Sequence, residues 1–364
     1  MMSMMQAGSK GPALNAEDGP SAEAIDAFRK GMAPFWHPVF LAGDLGHTPV
    51  SVTLLGRRLV LVRLDGELAA FPDTCRHFQA QLSLGRVVRV NGRAALQCGY
   101  HGWSFGKDGG CVLIPQLPEG RAIPKGAGIA SHLVSERHGI IWVCLAAEAM
   151  FPIPDFPEMD DPAFRKVRLL EGQPMRTSAT RMIMGTLDDT HFPWVHEGIL
   201  GSRDRPEPPS HRAWRERNEL IVQYEVEQPA GLMTADMSQS GSNRETQVRL
   251  TYTDHVGMPN VIRLVKDMPA GRYVVWLATC PVDYNITSNF WVSARNYDLD
   301  PAQDDVYRNM SAHVREQDRS VIESQRPWLL PPFWTQIELP LGPGDLPLIE
   351  YQKWIEELGV ATGI

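Results

Sequence analysis

The chain has 364 residues, 43% of them hydrophobic, enough for a substantial core and for two domains. A formal net charge of −8 excludes a general attraction to nucleic acid or anionic lipid. No apolar run approaches a membrane span, and five cysteines without disulfide-like spacing suit a reducing, cytoplasmic compartment.

The first 20 residues, from Met1 through Met5 and past Pro12, lack the apolar core of an export signal and read as a disordered tail. Ser21 to Lys30 has a cap-like Ser followed by Glu23, Ala24, Ile25, Ala27 and Phe28, which predicts a short amphipathic helix ending at Gly31. From Trp36 the pattern turns to short β-type runs at Val50 to Leu54, Arg58 to Leu64, Glu67 to Phe71, Ala94 to Gln97 and Gly139 to Leu145. Asp65-Gly66 and Asn91-Gly92 are hairpin turn signals. Residues 1–30 are thus tail and helix, and residues 31–150 an antiparallel β domain.

Two short arms in that domain, Cys75-Arg76-His77 and Cys98-Gly99-Tyr100-His101, each pair one Cys with one His. A Rieske [2Fe-2S] cluster uses two thiolates on one iron and two imidazoles on the other. A structural zinc site also accepts two Cys and two His, although zinc fingers usually put both Cys in one arm and both His in the other. Cys111, Cys144 and Cys280 read as packing residues.

Met150 to Pro162 carries four prolines, which disfavour helix and central strand and mark the domain boundary. Beyond it, residues 151–364 read as an α+β domain. The expected elements are a helix from Ser178 to Asp189, a Pro-rich loop from Gly201 to Ser210, and strands at Glu219 to Glu227, Gln247 to Tyr252, Asn260 to Lys266, Gly271 to Thr279 and Ser288 to Ala294. A long helix from Pro301 to Gln325 closes the set.

Asp188 and His191, three apart, would share a helix face, whereas His196 would point elsewhere unless the helix bends, for which Pro193 supplies a reason. Two histidines five apart are by themselves compatible with ordinary polar or core roles. Asp318 adds weight. It falls on an apolar stripe of Val306, Met310, Val314, Val321 and Ile322, where a carboxylate is costly unless paired or metal-bound. Two His and one carboxylate form the facial triad that leaves Fe(II) with open positions.

Gln81-Leu82-Ser83-Leu84-Gly85, Tyr100 to Gly106, and the D-x-x-H-x₄-H pattern from Asp188 to His196 resemble the Rieske non-heme iron oxygenases. The resemblance implies a cluster held by Cys75, His77, Cys98 and His101, and a mononuclear iron held by His191, His196 and Asp318. It makes Asp188 the catalytic bridging carboxylate, hydrogen-bonded to a cluster His of a neighbouring subunit, with Asp189 as a rival. The sequence departs from the family in a longer spacer after His77, in Arg76 and Phe78, and in Gly185, where many relatives have Asn. The segment from Ile114-Pro115 to Ile123-Pro124 resembles the homotrimeric group.

The resemblance further implies O₂ as co-substrate and electrons from NAD(P)H through a separate reductase or ferredoxin, since no dinucleotide fingerprint is present. The expected activity is monooxygenation or oxidative demethylation of a small aromatic or heterocyclic compound. Alternatives are cis-dihydroxylation, a Rieske electron carrier, and a zinc-stabilised binding module. Arg76, Arg86, Arg89, Arg93, Lys107 and Arg121 form either a solvated rim or a docking face for an acidic donor. Residues 231–234 and 238–243 could form a lid, and Met233, Met237 and Trp276 a pocket lining, or equally ordinary loop and core. Arg203, Arg205, Arg244 and Arg263 are undifferentiated candidates for a carboxylate clamp. The other histidines, His37, His47, His132, His138, His211, His255 and His313, read as solvated or satisfied.

Overall fold

The computed structural model describes residues 19–169, 174–229, 231 and 247–363. The expected tail as far as residue 18, and the expected lid apart from Gly231, lie outside the described residues, as do Met233, Met237 and Arg244.

Helix α1 (Ala22–Met32) is capped by Ser21, whose Oγ accepts from the Ala24 N–H at 3.1 Å. It runs through Gly31 instead of ending there. A Cβ at Gly31 would lie 2.3 Å from the Gly359 carbonyl oxygen, so this glycine permits a close chain crossing.

Ten strands follow: β1 (His37–Leu41), β2 (Val50–Leu54), β3 (Arg57–Leu64), β4 (Glu67–Pro72), β5 (Arg86–Val90), β6 (Arg93–Gln97), β7 (Ser104–Phe105), β8 (Cys111–Leu113), β9 (Leu133–Arg137) and β10 (Ile140–Cys144). They form three antiparallel sheets in the orders β1-β10-β9, β2-β3-β4 and β5-β6-β7-β8. Asp65-Gly66 and Asn91-Gly92 are the expected tight turns, with positive φ at all four residues. A small core of Val60, Val62, Phe71, Leu82, Leu96 and Phe105 encloses Cys75 and Cys98.

The second half is built on a seven-stranded antiparallel sheet. Its strands are β11 (Arg165–Arg168), β12 (Arg212–Glu216), β13 (Glu219–Pro229), β14 (Gln247–Gly257), β15 (Val261–Met268), β16 (Gly271–Asp283) and β17 (Ile286–Arg295). Their spatial order is β11-β17-β16-β15-β14-β13-β12. The helices are α2 (Pro157–Asp160), α3 (Ala179–Leu187), α4 (Phe192–Val195), α5 (Asp304–Ile322) and α6 (Leu346–Glu357). The mixed α+β class expected from the sequence is the one observed. The central strands are apolar on both faces. One face, with Trp276, packs on β1 and β2, and the other packs on α3 and α5.

Several expectations are corrected. Trp276 is fully buried, stacked on Phe156 at 5.3 Å and edge-on to Trp142 at 6.1 Å, so it is core and not pocket lining. The proline-rich boundary contains the one-turn α2, because Pro157 opens a helix at a position that needs no N–H partner. Helix α6 and the polar edge strands β11 and β12 escaped the sequence reading. Val306 and Val321 are exposed, at 45% and 44%. The inward face of α5 instead runs through Tyr307, Ser311, Val314, Asp318 and Ile322, and its polar members do not register in an apolar count.

Glu158 of α2 is 4% exposed and accepts from Arg263 Nε and Nη2 at 2.9 and 2.7 Å, which joins the linker to β15. Burial would raise the pKa of Glu158, but Arg263 outweighs it and holds the carboxyl below its ordinary value. Glu158→Ala leaves Arg263 unpaired, so we expect a loss of about 3 kcal/mol, seen as a lower thermal unfolding midpoint. An unchanged midpoint would show the pair to be dispensable.

Candidate metal centres

Helix α3 begins at Ser178, whose Oγ accepts from the Arg181 N–H at 3.2 Å, and ends at Asp188, which is extended at φ −72°, ψ 130°. The helix therefore breaks before His191. Pro193 does not bend it; it lies in the first turn of α4, a separate helix capped by His191 and followed by His196. Asp188 and His191 meet across this turn and not along a regular helix face. The Asp188 Oδ1 accepts from Thr190 N and Oγ1 at 2.8 and 2.7 Å, which turns Oδ2 to His191 Nδ1 at 3.1 Å.

His191 Nε2 and His196 Nε2 approach to 3.2 Å, and Asp318 Oδ1 lies 3.5 Å from the first and 2.9 Å from the second. Among the described residues, these are the three whose ligand atoms come within 4.8 Å of one another as a metal site requires. The outer nitrogens are pinned: Nδ1 of His191 by Asp188, and Nδ1 of His196 by Gln317 Oε1 at 2.9 Å. Nδ1–H donation to those oxygens leaves both Nε2 lone pairs facing inward, as a ligand must.

Burial alone would lower the pKa of His191, yet the Asp188 and Asp318 carboxylates lift it to about 9. Burial would raise the pKa of Asp188 and of Asp318, but the histidine contacts win and both lie below their ordinary value. A positive charge is thus already stabilised between these groups, and the donor set of two imidazoles and a carboxylate fits Fe(II).

Asp189 turns away from His191. It is 5% exposed and paired with His211 Nε2 at 3.0 Å, facing inward, whereas the Asp188 side chain keeps 22% exposure. No side chain at position 185 reaches the site: Gly185 lies against Ile322, whose Cδ1 would be 2.9 Å from an added Cβ. Gln317 holds His196 instead. It neighbours Asp318 in sequence, but no periodicity distinguishes it.

At the other candidate centre, His77 Nδ1 and His101 Nδ1 are 3.2 Å apart, and Trp103 stacks on His77 at 4.7 Å. Cys75 and Cys98 are buried at 1% and 3% exposure and lie beside each other. Burial, with Cys98 beside it, pushes the Cys75 thiol to about 11, so an ionic form there needs a metal. Four ligands on one zinc would lie within about 4 Å of one another, given zinc–ligand distances near 2.0–2.3 Å. These four do not gather in that way; they form a thiol pair and an imidazole pair, the shape of a two-iron cluster. Asp73, which the sequence reading missed, staples the first arm by accepting from Ser51 Oγ, Ser83 N and Ser83 Oγ at 2.7 to 2.9 Å.

Residues 35–132 match the Rieske [2Fe-2S] domain family, and residues 175–361 match the vanillate O-demethylase oxygenase C-terminal domain family. The chain is 30% identical to the methylxanthine N3-demethylase NdmB of Pseudomonas putida over 335 residues, 90% of each protein. The chain is a Rieske non-heme iron oxygenase. The methylxanthine N1-demethylase NdmA of the same organism is 30% identical over 92% of this chain and 91% of its own. NdmA with caffeine superposes with a TM-score of 0.78 at 30% identity, covering 92% of each chain. Dicamba monooxygenase bound to 3,6-dichlorosalicylic acid has a TM-score of 0.75 at 24% identity, over 90% of this chain and 97% of its own. The oxygenase therefore carries a Rieske cluster and a mononuclear iron and takes its electrons from a reductase. The electron-carrier and zinc-module alternatives fall away.

The triad opens on a small cavity of about 80 Å³. Its floor is the sheet face carrying Tyr252, Leu264, Val275 and Trp291, its roof is α5, and its wall includes Phe192 and Leu200. None of the described clamp candidates reaches it. Arg203 pairs with Glu197, Arg205 with Glu227 and Arg263 with Glu158. The cations that do line it are Lys266 and Arg315. A period-two reading of β15 could have flagged Lys266, in step with Ile262 and Leu264, but the other register mixes Val261 and Val265 with Arg263 and Asp267, so neither alternates cleanly.

We expect Gln317→Leu to weaken iron retention by about 10- to 100-fold and leave the cluster spectrum intact. Metal analysis after dialysis against a graded chelator series measures this, and unchanged retention would refute the role given to Gln317.

Proposed function

We propose that His191, His196 and Asp318 hold the mononuclear iron, and that Cys75, His77, Cys98 and His101 hold the cluster. We further propose that the enzyme removes a methyl group from a small N- or O-methylated aromatic or heterocyclic substrate. The observation that carries this reading is the joint placement of the inward-facing triad and a small apolar cavity on which it opens. When bound, the iron supplies open coordination positions for O₂ activation and the cluster supplies electrons one at a time. One oxygen atom enters a methyl C–H bond and the other leaves as water. Two electrons come from NAD(P)H, and the hydroxymethyl product breaks to formaldehyde and the demethylated ring.

The chain's own residues exclude water and orient the ring between the sheet face and α5. Asp188 connects His191 toward the surface and, in this reading, receives a hydrogen bond from a cluster His of the next subunit of a homotrimer. Exposed apolar side chains support that assembly: Phe78, Leu84 and Tyr100 at the cluster tip, and Trp334, Leu339 and Leu341, of which Leu339 borders the same surface groove as Asp188. The basic rim of Arg76, Arg86, Arg89, Arg93, Lys107 and Arg121 would meet an acidic reductase or ferredoxin, raising its encounter rate. A cytoplasmic setting agrees with five cysteines that form no disulfide.

The test is turnover of the purified chain with an NADH-linked reductase and labelled O₂ on a panel of methoxy and N-methyl compounds. One labelled oxygen per turnover with formaldehyde release supports the reading, and a doubly labelled diol contradicts it. His191→Ala should abolish turnover and leave the paramagnetic signal of the reduced cluster unchanged. Retained oxygenation would remove His191 from the iron site. For Asp188→Asn we expect both metals to stay bound and product formation to slow by about 100-fold or more; near-normal rates would remove the bridge.

A further inference from the structure

Strand β15 places Lys266 opposite Tyr252 of β14 and Tyr273 of β16. Lys266 is 3% exposed and lines the cavity, with Nζ 5.0 Å from the Tyr252 ring centroid and 6.0 Å from that of Tyr273. Among the described residues no hydrogen bond or ion pair reaches this ammonium. The aromatic faces compensate in part, but a buried cation without an acceptor remains costly. Burial accordingly pulls its pKa down to about 7.

The charge of Asp254 would raise the Lys266 pKa, but burial outweighs it, and no hydrogen bond or ion pair joins the two among the described residues. Both Asp254 carboxyl oxygens are buried without a hydrogen-bond partner among the described residues, and burial raises that carboxyl well above its ordinary range. A second donor lines the same cavity: Trp291 Nε1 is buried and has no acceptor among the described residues. Two buried donors without acceptors among the described residues border one cavity. A ligand that brings negative oxygen satisfies both.

We propose that the substrate ring bears an anionic oxygen group, carboxylate or phenolate, that docks on Lys266 Nζ with Trp291 Nε1 as a second donor. The ring then presents its methyl-bearing side to the His191, His196 and Asp318 wall. This rests on the demethylation reading for the identity of the reacting group, but the recognition itself is separable from turnover.

The experiment is equilibrium dialysis of the purified, iron-loaded protein without reductase. The probes are methoxybenzoates, neutral methoxybenzamides of the same shape, and a nitro-substituted methoxyphenol acidic enough to ionise at neutral pH. We expect at least one anion to bind tenfold or more tighter than its neutral counterpart, and which one does so distinguishes carboxylate from phenolate. Lys266→Met should erase the preference and bind the amides at least as well, whereas Lys266→Arg should keep it. The cluster spectrum and iron content verify that the variants fold. Equal affinity for acids and amides, failure of every anion to bind, or a preference that survives Lys266→Met would overturn the proposal. Anion binding without formaldehyde in turnover assays would fault the reaction reading and leave the recognition intact.

Discussion

Everything in the catalytic half depends on holding two imidazole nitrogens and a carboxylate oxygen within 2.9 to 3.5 Å of one another, facing inward. Left alone, such groups would repel, rotate or bond to water. Asp188 and Gln317 prevent that by engaging the outward nitrogen of each ring, so that ring orientation and tautomer are set together. The surrounding carboxylates stabilise positive charge at the same point, and a dication completes what a proton only partly satisfies.

The fold serves this constraint. Asp318 and Gln317 come side by side from the C-terminal part of the regular helix α5, and the histidines from the two ends of the short α4, so two chain segments converge. A seven-stranded sheet, packed on the N-terminal sheets through Trp276, Trp142 and Phe156, gives them a rigid floor. The cluster arms have their own small core, and both thiols lie within it. Each centre is thus supported by separate packing.

How much of this was legible in the sequence follows the range of the interactions. The cluster arms stand out because each Cys–His pair is local, and the hairpins were readable because Asp-Gly and Asn-Gly impose positive φ directly. Asp318 stood out as a carboxylate among apolar residues although the stripe was mis-phased, since the true inward face includes Tyr307 and Ser311. That Asp189 faces inward depends on His211, 22 residues away, which no local pattern encodes. Trp276 and Lys266 sit on opposite faces of strands that are apolar on both sides, where alternation carries no information about which face meets the active site. Pro193 is not what interrupts α3, which ends at Leu187; a proline in a first turn opens a helix as readily as it bends one.

The central claim is that the chain holds two independent metal centres, one buried among thiols and one exchangeable at His191, His196 and Asp318. Mild chelation of the purified protein, followed by iron counting and the paramagnetic spectrum of the reduced cluster, tests it most directly. The account predicts loss of one iron per chain and of all turnover, an unchanged cluster signal, and recovery of turnover on adding Fe(II). Loss of the cluster signal in step with that iron, or full turnover after it has gone, would contradict it.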